Sequence, residues 1–155
     1  MKISCCAAIL CFSLAGTAAG QTQTKGRASG SFDVKITQQA ANQVQVEGLG
    51  RAIIDKALHG DLEGASKGEM LSWLSGDKGS GVYVAVERVT GTLAGRSGTF
   101  LLHHTGVMKR GTQQLSITVV PDSGTEQLTG LAGTMTIQIA PDGKHSYRFD
   151  YTIEP

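Results

Sequence analysis

The chain has 155 residues, one domain's worth, with 14 Lys+Arg against 13 Asp+Glu and a formal charge of +1. No basic cluster stands out, which argues against a nucleic-acid surface and against strong attraction to anionic membranes. The three cysteines, Cys5, Cys6 and Cys11, all lie near the N-terminus. A chain shortened by that segment would hold no disulfide and no thiolate metal site.

Residues 1–20 read as a signal peptide. Met1-Lys2 is a small positive start, Ile3 to Leu14 an apolar run, and Ala15 to Gly20 a stretch of small residues suited to cleavage. The run is too short to span a bilayer as a stable helix, and Leu10 before Cys11 argues against lipid attachment. Export to a periplasm or the medium is therefore expected. Losing Lys2 brings the formal charge close to zero.

Gln21 to Arg27 reads as a flexible N-terminal segment, and residues 28–155 as the folded domain. Phe32, Val34 and Ile36 alternate with polar neighbours as a half-buried strand. Gln38 to Gly50 lacks periodicity and reads as a loop. Arg51 to Leu58 forms a second strand, with Ile54 and Leu58 on one side. The run from Asp61 to Leu74 makes a third strand, bent by Gly64, and Ser75 to Ser80 a turn. Gly81 to Gly106 is a central hairpin of two β-branched, apolar runs. Leu115, Ile117 and Val119 alternate in one later strand, and Met135, Ile137 and Ile139 in another. A turn at Pro141 to Lys144 leads to a last strand with Tyr147, Phe149, Tyr151 and Ile153 on one face.

Eight strands, each with an apolar face, must close on themselves. Short connections favour a single all-β, antiparallel up-and-down barrel. Thr90-Gly91-Thr92-Leu93-Ala94-Gly95 and Thr129-Gly130-Leu131-Ala132-Gly133 echo each other at strand ends, where glycine permits tight corners.

A chain of motifs carries a resemblance: Gly60-Asp61-Leu62-Glu63-Gly64, Glu87 to Leu93, Gly95 to Phe100, His104-Thr105-Gly106, and Val120-Pro121 through to Gly133. From about Ala28 onward the chain resembles an uncharacterised bacterial domain-of-unknown-function family. The resemblance implies an allene oxide cyclase-like β-barrel, related in architecture to lipocalins, and carries no established activity. His103 stands where a glutamine is usual in that family, and the export signal is a further departure.

Glu87 is the leading candidate for chemistry. Counting by twos groups it with Tyr83, Ala85 and Val89, opposite Val82, Val84, Val86 and Arg88. If that face and the Phe100, Leu102 and His104 face of the next strand point inward, a carboxylate and an imidazole share an apolar lumen. The blander alternative pairs Glu87 with Arg88 or Arg96 at the rim. His103 and His104 are consecutive, so they face opposite ways and cannot chelate one metal. Asp122-Ser123-Gly124-Thr125 has the form of an aspartic-protease turn but reads better as ordinary turn chemistry.

The expected function is binding of a small, partly apolar molecule in the lumen, without catalysis and without a cofactor. Tyr83, Arg88, Arg96, Phe100, Tyr147 and Phe149 are the candidate ligand-binding residues. Two alternatives remain: a cyclase or isomerase using Glu87 and His104 as an acid-base pair, and a non-catalytic partner-binding or structural module. The ligand's identity and the oligomeric state are open.

Overall fold

The computed structural model describes residues 23–40, 46 and 48–154. The signal-peptide reading and part of the 38–50 loop lie outside them. Eight antiparallel strands close into one barrel in chain order, β1 pairing with β8. They are β1 (Thr24–Gln38), β2 (Gly50–Gly60), β3 (Leu62–Leu74), β4 (Gly81–Leu93), β5 (Arg96–Lys109), β6 (Thr112–Val119), β7 (Leu131–Ile139) and β8 (His145–Ile153). Two single-turn helices, Gly76–Lys78 and Glu126–Leu128, sit in connections. Among the described residues no helix is long and apolar enough to cross a membrane.

β1 begins inside the stretch read from sequence as flexible. Thr24 to Arg27 pairs with Ile153 to Asp150 of β8 and helps to close the barrel. The periodicity fails there because small residues face inward. Gly30 lies opposite Tyr147, whose ring occupies the space that a Cβ at Gly30 would need. An aromatic from β8 thus supplies the apolar bulk that β1 lacks.

Partners followed around the wall run from Gln38 through Ala52, Met70, Ala85, His104 and Ile117. The row continues by register through Met135 and Phe149 to Ala28, a stagger of ten residues along β1. Such a stagger tilts the strands by roughly 40° to the axis. Side chains at one height then come from diagonal, not directly paired, positions.

The end carrying the β2–β3, β4–β5 and β6–β7 connections is sealed by Leu62, Leu93, Leu128 and Leu131, all buried. Above them Phe100 stacks on Phe149 at 5.9 Å, and Phe149 meets Tyr151 at 5.5 Å. The Tyr147 hydroxyl accepts the Leu62 amide at 2.9 Å and lies 3.2 Å from the Leu62 carbonyl oxygen. It thereby ties β8 to the β2–β3 corner. Tyr147→Phe should cost about 1–3 kcal/mol in a urea melt, because the buried Leu62 amide loses that acceptor.

The opposite end is looser. β6 and β7 share one ladder pair, Thr118 with Thr134, whereas β7 and β8 pair along their whole length. Leu115 and Ile139, inward by register beside this seam, are 46% and 64% exposed. Of the alternating apolar residues of the last three strands, Ile117, Met135, Tyr147 and Phe149 are buried and Ile137 packs against them. Leu115 and Ile139 are the exceptions, at the mouth.

Candidate functional site: a buried ionic cluster in the lumen

Glu87 faces inward and is 2% exposed. Its partner is neither Arg88 nor Arg96 but Lys56, whose Nζ donates to Oε1 at 2.8 Å. Ser66 Oγ lies 3.3 Å from Oε2, and His104 Nε2 lies 3.3 Å from Oε1. These groups come from four consecutive strands. Ser66 pairs directly with Lys56, while Glu87 and His104 reach the same height by the diagonal offset of tilted strands. Gly68 lies opposite Glu87, and any Cβ there would collide with that of Glu87. The Lys56 ammonium also sits 5.2 Å from the Phe32 ring centre, a cation–π contact.

The electrostatics follow from this packing. Burial alone would raise the Glu87 pKa, but the adjacent His104 ring and the Lys56 charge outweigh it, holding the carboxyl below its ordinary value. Tyr83 is half-buried four residues nearer the mouth along β4 than Glu87, its ring lying over Gly106. Burial first, and then the Glu87 charge, raise its pKa. His104 Nε2, although close to Glu87, makes no directed hydrogen bond to any protein group. It is a buried polar atom lying near, but not aligned with, an oxygen already shared with Lys56.

The other sequence candidates scatter. Phe100 and Phe149 are stacked core, and Tyr147 is tied to the β2–β3 corner. Arg88 points outward, 3.5 Å from Thr99 Oγ1, and Arg96 starts β5 at the sealed end. His103 also faces out, 2.7 Å from Thr118 Oγ1. In the Asp122–Thr125 turn, Ser123 Oγ accepts the Leu101 amide and Thr125 Oγ1 accepts the Thr99 amide, strapping the β6–β7 connection to β5. Among the described residues no group of three His, Cys, Asp or Glu side chains could hold a metal ion.

A cavity of about 940 Å³ lies mainly against the outer wall beside the β1–β2 connection, with the inner-row Ala85 and His104 also in its lining. Its lining includes the outward-facing Arg51, Glu69, Leu71, Val84, Val86 and Thr105, with Val46 and Leu49 from the β1–β2 connection.

Sequence reasoning missed Lys56. The signal was present: Ile54, Lys56 and Leu58 alternate, which puts the lysine on the apolar face.

Fold and cluster together define a closed eight-stranded antiparallel β-barrel whose buried charged and polar side chains, Lys56, Ser66, Glu87 and His104, gather in one group. Residues 28–151 match the model of a family described as a protein of unknown function, DUF3224, and the chain belongs to that family. A crystal structure of a DUF3224 protein of unknown function from Shewanella oneidensis MR-1 is 47% identical to this chain. It superposes with a TM-score of 0.78, over 85% of this chain and 99% of that one. No curated protein matches the chain.

Proposed function

We propose that the chain is an exported, non-catalytic container that takes one small, partly apolar molecule into the mouth half of its lumen. The observation that carries this reading is the contrast between the two halves of the interior. Inward positions are filled and buried toward the sealed end, while Ile36, Leu115 and Ile139 are left exposed at the mouth. Beneath that apolar rim lies a polar floor of Tyr83, His104 and Lys56, with the His104 Nε2 atom lacking a directed partner. An apolar body with one polar head fits such a gradient. The sparse β6–β7 pairing supplies a wall that can part with little loss of ladder.

The alternative, an isomerase-type enzyme, draws on the 3.3 Å approach of Glu87 and His104. The Lys56 ion pair weighs against it. A carboxylate held ionised has no proton to give, and one shared with an ammonium accepts a proton poorly.

Delipidated protein should be melted against fatty acids, aromatic acids and their uncharged amides. One class is expected to raise Tm by about 10 °C at a hundredfold excess over Kd. Leu115→Arg should abolish the shift while leaving the unliganded Tm unchanged. No shift from any class, together with no co-purifying molecule by mass spectrometry, would remove this reading.

A further inference from the structure

The outer face of β3–β4–β5 differs from the rest of the barrel exterior. Leu71 pairs with Val84, Trp73 with Val82, and Val82 with Val107, so apolar side chains run unbroken across three strands, and Val86 extends the row. Each is between 42% and 51% exposed. The outward positions of β1 and β8 carry Lys25, Arg27, Asp33, Lys35, Arg148 and Asp150 instead. The mouth-side half of β4 therefore has the composition of a strand covered on both faces, since its inner row is buried or half-buried and its outer row there is Val82, Val84 and Val86. The fold covers only one of them.

We infer that a second copy of this chain covers the other, through a two-fold, face-to-face contact of the β3–β4–β5 walls. Both edges of this part of the wall are already paired, so strand addition is closed to it and contact must be face to face. With Val46 and Leu49 beside them, the exposed surface of these side chains comes to roughly 700 Å², close to the ~800 Å² per partner of a standard interface. A patch facing its own image needs only self-complementarity, the commonest symmetry among soluble oligomers. A formal charge of +1 opposes self-association very little. The flanking charges are mixed, with Arg51 on Glu69 and Lys67 on Asp55, unlike the basic rim that draws a protein onto an anionic bilayer.

Sedimentation velocity on the chain starting at Gln21, which keeps every strand, should give the mass of a dimer at micromolar concentration. Val84→Glu, and independently Val107→Lys, should weaken dimerisation at least about a hundredfold, with unchanged circular dichroism. Arg148→Glu, on the charged side, should leave the dimer intact. A wild-type monomer at every concentration up to about 100 µM, a Kd range beyond weak association, would overturn the inference. So would dimers that persist in both variants, or a monomer that binds neutral or anionic vesicles through this face.

Discussion

Lys56→Met should destabilise the barrel by about 3–5 kcal/mol, seen as a large fall in the urea midpoint at unchanged slope. Methionine nearly matches the lysine stem in length, so packing against Phe32 changes little. What changes is that Glu87, 2% exposed, loses the ammonium 2.8 Å from Oε1. The Ser66 hydroxyl and the misaligned His104 ring cannot replace a full charge at that depth. Glu87→Gln alone should cost a similar amount, because the amide oxygen can still accept from the ammonium 2.8 Å away but no longer neutralises its buried charge. The double variant Lys56→Met/Glu87→Gln removes both charges and keeps an amide near Ser66. It should recover most of the loss, making the cycle strongly non-additive. A Lys56→Met penalty below about 1 kcal/mol would mean that the pair is solvated, not buried.

Recovery by the double variant bears on why the cluster exists. If uncharged side chains of similar size serve stability nearly as well, the ions are not there to hold the barrel shut. Under the proposed function they form a polar floor beneath an apolar mouth, and the double variant should then lose ligand shifts while keeping its Tm.

The eight strands were legible because alternation survives wherever the lumen is filled from the strand itself. It failed at Thr24–Arg27, where the lumen-facing residues are Thr24 and Gly26 and the bulk over Gly26 is the Tyr151 ring. A strand whose core is lent by its neighbour has no hydrophobic pattern of its own. Counting in twos grouped Glu87 with Tyr83 and Ala85, and His104 with Phe100 and Leu102, without deciding which face turns inward; both side chains are buried in the lumen. Their grouping with Lys56 could not be read, because it depends on the ten-residue stagger, a property of the closed sheet and of no single strand. The same limit put Arg88 forward as the partner of Glu87, since adjacency in sequence is visible and diagonal neighbourhood is not. Leu128 was also beyond reach: it plugs the sealed end from a connection, packed on Gly98 of β5.

Acid should separate wild type from Glu87→Gln in a defined direction. Burial pushes the Glu87 pKa up, but His104 and Lys56 together hold it below the ordinary glutamate value in the folded state. A group depressed on folding adds stability above its unfolded pKa of about 4.3, and loses it as pH falls through the lower folded value. The stability gap between wild type and Glu87→Gln should therefore be full, about 3–5 kcal/mol, from pH 5 to neutrality. It should begin to narrow below about pH 4, as the wild-type carboxyl starts to take up its proton and lose the charge that the amide also lacks. Other carboxylates shift both curves equally: Asp150, Glu69 and Asp55 pair on the outer surface, away from this site. Tyr83, the remaining acid beside Glu87, titrates on the alkaline side, its pKa raised by burial and then by the Glu87 charge. Urea melts of both proteins between pH 3 and 8 read the gap directly. Parallel curves across that range would show that Glu87 is not a buried anion, and with it the ionic floor of the lumen would go.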